Sequence, residues 1–221
     1  MERRERLGRF QYLQGAFPLG QDTLLLGAFP ALRPGMKVCD LGCGAGALPL
    51  LLLGREPRLE ITGVELDPEE AALARRNLAE NGLHGVILAG DLREKALTLP
   101  AGTFDLVVSN PPWFSPGTGA SGGAARMEHA CTLEELCAAA RRLLKNGGHF
   151  TLVHRPERLT DLLTALRTFG MEPKRLQMVQ HSPDTPPSAC LVEGRRQGRA
   201  GLKVLPALIL NLPRSGGGPD F

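Results

Sequence analysis

The chain has 221 residues, 43% hydrophobic and 22% charged, a balance that suits one soluble α/β domain. Its formal net charge of +3 is too small to claim a nucleic-acid partner by itself. Five cysteines without a CxxC pair signal neither a disulfide framework nor a zinc site, and no apolar run nears the roughly 18 residues that span a bilayer; a reducing cytoplasm, no metal and no membrane are expected.

The start, "MERRERLGR", is charged and does not read as a signal peptide. Arg3, Arg4, Arg6 and Arg9 crowd it, as Arg195, Arg196, Arg199 and Lys203 crowd a late stretch; taken alone, both read as solvated surface. A helical pattern at 21–32 precedes a strand at 37–41, and "VCDLGCGAG" then runs from that strand through Gly42, Gly44 and Gly46 into a helix at 46–53. Such glycines let the backbone turn sharply and approach a ligand closely, with helix amides pointing at it. A second strand, 60–65, ends in Glu65, about 20 residues after the last glycine, where a carboxylate can chelate ribose hydroxyls.

Asp67 and Pro68 punctuate the start of the next helix, 68–81, with Asn81 and Gly82 at its end. A third strand at 86–89 leads to "AGDL" and Asp91, and a fourth at 104–109 ends in "SNPPWF". Two prolines stop the strand, since neither can donate a ladder hydrogen bond, and leave Asn110 and Trp113 at its mouth. After the glycine-rich stretch 115–125 come Arg126 and Glu128, beside the expected cleft. A helix at 132–145 follows, opened by a Thr132/Glu135 capping pattern. A fifth strand at 148–154, a helix at 156–169 and a strand pair at 175–181 and 189–193 complete the pattern, and "SGGGPDF" forms a tail. Strand–helix alternation implies a mostly parallel sheet covered on both faces, with ligands outside the carboxyl ends of the strands.

The glycine pattern is GxGxG preceded by Asp40, which departs from a dinucleotide fingerprint and disfavours a dehydrogenase. It resembles motif I of class I S-adenosylmethionine-dependent methyltransferases. The resemblance implies a Rossmann-like fold with a seven-stranded sheet and S-adenosyl-L-methionine as cofactor. It places Asp40, Gly42, Cys43, Gly44 and Gly46 at the methionine part, Glu65 with Leu66 at the ribose, and Asp91 with Leu92 at the adenine. "NPPW" resembles the NPPY-type signature of enzymes that methylate planar nitrogen. That implies amine hydrogens accepted by Asn110 and the Pro111 carbonyl, with Pro112 rigidifying the turn and Trp113 stacking on the target.

"YLQGAFPLGQDTLLLGAF", with Gln21, Asp22 and Thr23, and "ARMEHACTLEELCAAARRLLKNGGHFTLVHRPERLTDLL" resemble bacterial methyltransferases that modify the adenine beside the anticodon in a valine tRNA. This implies Asp22 at the cofactor site, an RNA partner, tRNA first, and adenine N6 as acceptor. Release-factor glutamine-N5 methyltransferases and rRNA guanine-N2 methyltransferases share the signature and stand as alternatives. Trp113 departs from the usual Tyr or Phe, and the 115–125 stretch is richer in small residues than the family pattern. The expected organisation is a segment and helix over the cofactor site at 1–34, the methyltransferase domain at 35–212 and a tail at 213–221. Arg155 and Arg158 are candidate RNA contacts, whereas His154 and His181 read as satisfied strand-end histidines.

Overall fold

The computed structural model describes residues 3–16, 18–111 and 131–211. Pro112, Trp113, the 115–125 stretch, Arg126, Glu128 and the tail lie outside the described residues. Two short strands, β1 (Arg4–Leu7) and β2 (Phe10–Leu13), form an antiparallel hairpin. Then follow α1 (Gln21–Ala28), β3 (Lys37–Leu41), α2 (Ala47–Arg55), β4 (Glu60–Glu65), α3 (Pro68–Glu80), β5 (Val86–Ala89), α4 (Leu92–Thr98) and β6 (Phe104–Ser109). The second half adds α5 (Leu133–Leu143), β7 (Leu144–His154), a 3-10 turn at Pro156–Arg158, α6 (Leu159–Thr168), β8 (Met171–Gln180) and β9 (Ala189–Arg196). Two two-residue strands, β10 (Lys203–Val204) and β11 (Leu208–Ile209), close the described chain.

The strand order is β10-β8-β9-β7-β6-β3-β4-β5, with β11 also on β8. β5, β4, β3, β6 and β7 pair in parallel and β9 is antiparallel to both neighbours. The sheet is therefore mostly parallel as expected, but it has nine strands rather than seven. The two extra ones are short edge pieces laid parallel to β8. β3 is covered on both faces, and its last four residues are buried, as a central parallel strand requires. One apolar cluster packs the face that carries α1, α2 and α3; another packs the face under α5 and α6. No helix among the described residues is long and apolar enough to cross a membrane.

Several expected boundaries move for local reasons. α1 stops at Ala28, ahead of Pro30, which disfavours helix in the residue before it. Arg55 then satisfies its end, donating to the carbonyls of Gly27 at 2.6 Å and Pro30 at 2.9 Å. The helix expected at 156–169 is split by the 3-10 turn. β7 starts four residues early, through an irregularity in its register with β6 that contains Lys145, Asn146 and Gly147.

The hairpin and α4 have no counterpart in the sequence-based reading. The hairpin is docked by side chains of α3 acting as a strand edge. Asn77 accepts from Leu13 N at 2.7 Å and donates to Leu13 O at 2.9 Å. Asn81 does the same with Gln11, at 3.0 and 2.7 Å, and Glu70 accepts from Ala16 N at 2.6 Å. Primary amides carry the same donor and acceptor as a peptide group, so they can extend a ladder.

Candidate active site

The parallel register sets the ends of β3, β4 and β6 side by side. β3 pairs with β4 through Leu41 and Val64 and with β6 through Asp40 and Val108. The chain leaves β3 through Gly42, Gly44 and Gly46, all left-handed, at φ +82°, +51° and +84°. A side chain is strained there. A Cβ on Gly42 or Gly44 would meet nothing within 4 Å, so a cradle stands open above the turn; one on Gly46 would press Ala74 Cβ at 3.1 Å. Below the turn, Cys43 sits over Gly63, where a Cβ would come within 2.8 Å of its sulfur. Burial pushes the thiols of Cys39 and Cys43 up, consistent with packing residues.

Asp40 is fully buried, and neither carboxylate oxygen has a hydrogen-bond partner among the described residues. Burial, with the nearby Glu65 carboxylate, pushes it well above the ordinary carboxylate range. A buried acid without a hydrogen-bond partner under an open glycine cradle could hold a cationic group. Glu65 accepts from Gly44 N at 2.7 Å and from Asp67 N at 2.9 Å, which holds the turn against β4 and leaves each oxygen further acceptor capacity. Beside it Leu66 is 51% exposed, an apolar surface next to a buried acid. Asp91 caps α4 through Arg93 N at 2.9 Å and is forked by the Arg93 guanidinium, which also reaches Glu135 at 3.2 Å. Those hydrogen bonds hold Asp91 below the usual carboxylate range. Leu92 packs partly buried against the core under α5 and α6.

At the end of β6, Ser109 donates to Leu41 O at 2.7 Å and ties the strand end to β3. Asn110 follows directly, and its amide nitrogen donates to Thr23 Oγ1 at 2.9 Å. Its side-chain oxygen makes no hydrogen bond within the described residues and is left as an acceptor. Thr23 stands in the first turn of α1, beside Asp22. Burial raises the Asp22 carboxyl while the Arg155 charge, at the end of β7, opposes it. The first turn of α1 therefore joins the ends of β6 and β7, and Thr23 is a residue of this region with no role assigned to it from sequence. His154 is buried, accepts from Arg155 N at 2.9 Å, and is pushed down by burial, a satisfied strand-end histidine.

The sequence model of the methyltransferase small domain family matches residues 20–168, which include the glycine turn, Glu65, Asp91 and Asn110. The chain belongs to this family. It is 34% identical over 191 residues to a tRNA1(Val) (adenine(37)-N6)-methyltransferase of Porphyromonas gingivalis, covering 81% of this chain and 75% of that one. It is 33% identical over 196 residues to the enzyme of the same name from Dickeya chrysanthemi, covering 86% of this chain and 77% of that one. Among solved structures, a predicted O-methyltransferase from Agrobacterium tumefaciens aligns with a TM-score of 0.71 at 24% identity, covering 86% of this chain and 88% of that one. The fold is that of class I methyltransferases, and the protein is a methyltransferase.

Proposed function

We propose that this methyltransferase uses S-adenosylmethionine to methylate adenine N6 in a tRNA. The observation that carries the reading is Asn110, whose amide nitrogen is fixed by Thr23 beside the glycine turn while its oxygen remains an acceptor. The residues suit the cofactor: Asp40 and the open cradle at Gly42 and Gly44 receive its cationic methionine part, flanked by Cys43, Gly46 and Asp22. Glu65 and Leu66 take the ribose, and Asp91 and Leu92 the adenine. Bound there, S-adenosylmethionine supplies an electrophilic methyl on a sulfonium.

An exocyclic amine is a poor nucleophile because its lone pair is delocalised into the ring. Accepting its two hydrogens on Asn110 Oδ1 and the Pro111 carbonyl shifts electron density back to the nitrogen and aims it. Pro112 keeps the turn rigid, and Trp113 is assigned a stacking role worth roughly 1–3 kcal/mol for a base. With the cofactor bound, the amine nitrogen held by Asn110 and Pro111 would take the methyl from the sulfonium, S-adenosylhomocysteine would leave, and the amine's proton would pass to water. Most of the rate comes from positioning, and no strong base is required. The named activity of the relatives narrows the amine to adenine N6 and the substrate to tRNA.

Transfer of labelled methyl to tRNA lacking the modification, followed by nucleoside analysis, tests the reading; the expected product is N6-methyladenine. Asn110→Ala should lower kcat by about 100- to 1000-fold, the range for removing one aimed polar group, with cofactor affinity within about twofold. Label on ribosomal RNA guanine or on a release factor instead of tRNA overturns the substrate, and an active Asn110→Ala overturns the mechanism.

A further inference from the structure

A cavity of about 500 Å³ opens at the other end of the sheet, where β6 and β7 begin and β9 ends. It is lined by Gly102, Arg141, Arg142, Lys145, Asn146 and Arg196, with Ala101: four cations and no carboxylate. The irregular start of β7 brings Lys145 and Asn146 to its rim. Three of the cations are tied to the fold. Arg142 donates to the carbonyls of Ala96 at 2.6 Å and Leu99 at 2.8 Å, Arg196 Nη1 donates to Leu144 O, and Lys145 pairs with Asp105 at 2.7 Å.

Two donors remain unused. Arg141 makes no hydrogen bond or ion pair among the described residues. Arg196 Nε is buried without a partner. Bringing these guanidiniums together also costs electrostatic energy, since burial and the Arg141 charge both push Arg196 down. Two guanidiniums facing one open cavity whose lining holds no carboxylate make a site suited to an anion.

We infer that this cavity binds phosphates of the RNA backbone, a second contact distant from the reacting base. The inference rests on the reading of the substrate as tRNA. Asn110 lies about 20 Å away along β6, at roughly 3.3 Å per residue. An RNA held at both places must extend several nucleotides beyond the methylated base, so a tRNA or its anticodon stem-loop can reach the cavity and a trinucleotide centred on the target adenine cannot. The late basic run that reads as solvated surface in the sequence thus divides. Arg196 enters the cavity; Arg195 lies beside it, with Nε donating to Gly147 O at 3.1 Å.

The test is equilibrium binding of fluorescently labelled full-length tRNA and of a trinucleotide centred on the target adenine to wild type, Arg141→Ala and Arg141→Glu. Arg141 makes no hydrogen bond or ion pair among the described residues, so Arg141→Ala should melt close to wild type; Arg141→Glu, an acid in the last turn of α5, should melt slightly lower and is compared at a temperature where it is fully folded. Arg141→Ala should weaken full-length tRNA about fivefold and reduce the slope of log affinity against log salt by about 1. Arg141→Glu should weaken it further, and neither should change the trinucleotide. Unchanged tRNA affinity in both variants overturns the inference, as does an equal loss on the trinucleotide, which would mean unspecific attraction. Inorganic phosphate raising the melting temperature of wild type but not of Arg141→Glu, with tRNA affinity unchanged, would assign the cavity to a free anion and overturn the RNA assignment. Failure of the substrate reading shows separately, as wild type that transfers no methyl to tRNA.

Discussion

At the carboxyl ends of β3, β4 and β6 the side chains that matter are Asp40, Glu65 and Asn110; at the amino ends of β6 and β7 they are Arg141, Arg142, Lys145 and Arg196. The first end is acidic and built on left-handed glycines, and the second is basic and built on an irregular strand start. Among the described residues, the unpartnered buried group at the first end is an acid, Asp40, which suits the cationic end of the proposed cofactor. At the second it is a guanidinium nitrogen, Arg196 Nε, which suits the proposed phosphate. Groups that the fold leaves unsatisfied at its own expense mark where ligands are expected, and groups it satisfies mark where stability resides.

The largest effect that tests this contrast is at Asp40. Asp40→Asn keeps the shape but removes the charge, and cofactor affinity should fall about 10- to 100-fold, the range for losing a charge-assisted contact. The native carboxyl is raised above its unfolded value of 3.8, so ionising it costs stability as pH rises. The apo variant should therefore melt at the same temperature as wild type or higher, by calorimetry at pH 7. Cofactor affinity in wild type should also rise with pH as Asp40 ionises, and this dependence should disappear in Asp40→Asn. A variant that unfolds while binding cofactor normally would make Asp40 structural and erase the contrast.

Glu193 supplies the opposite case, a buried acid that is satisfied. Arg175 grips it through two nitrogens, at 3.0 and 2.6 Å, and His149 Nδ1 lies 3.2 Å away. The same guanidinium lies 4.3 Å from the centre of the Phe29 ring and bonds Phe29 O at 3.1 Å, which fastens the end of α1 to the sheet. Burial alone would raise Glu193, but the His149 and Arg175 side chains overcome it and hold the carboxyl at about 2, against 4.5 unfolded. Its folded value is depressed, so its contribution is complete above about pH 5 and lost as pH falls from there toward 2. Glu193→Gln should cost about 3 kcal/mol at neutral pH, read by urea unfolding, and flatten the acid limb of the stability profile. Methyl transfer by the folded variant should be unchanged.

How much of this was legible in the sequence follows from how local each feature is. β3, β4, β5 and β6 run over the residues that periodicity assigns them, because buried parallel strands bounded by glycine, Asp-Pro or Pro-Pro punctuation are self-announcing. Asp40, Glu65 and the glycines lie at the ends of those same strands, so their placement in the fold is legible with them. The hairpin was missed because its strands have four residues each and one edge is completed by Asn77 and Asn81, side chains on a helix 64 to 70 positions away. α4 is one short helix whose cap, Asp91, reads from sequence as a free loop acid until Arg93 is seen to fork it. The basic cavity draws on residues from 101 to 196, a span no motif covers.

Thr23 is the finest test, because it separates holding the Asn110 amide in its proposed catalytic role from merely completing a turn. Thr23 and Asn110 stand 87 positions apart and meet through one hydrogen bond of 2.9 Å. Thr23→Val preserves the shape and β-branching of the side chain and removes only the hydroxyl, so α1 should remain docked. The Asn110 amide then loses the acceptor that orients it, and its oxygen no longer stays aimed at the amine. The expected result is a roughly tenfold fall in kcat, the size of one net hydrogen bond, with KM for tRNA and cofactor affinity unchanged. Thr23→Ser should restore most of the rate, and Thr23→Val should add nothing to Asn110→Ala in a double-mutant cycle. Equal losses in kcat and cofactor affinity would place the hydroxyl on the cofactor instead, and the acceptor geometry at the end of β6 would then have to be set by the Asn110–Pro111 backbone alone.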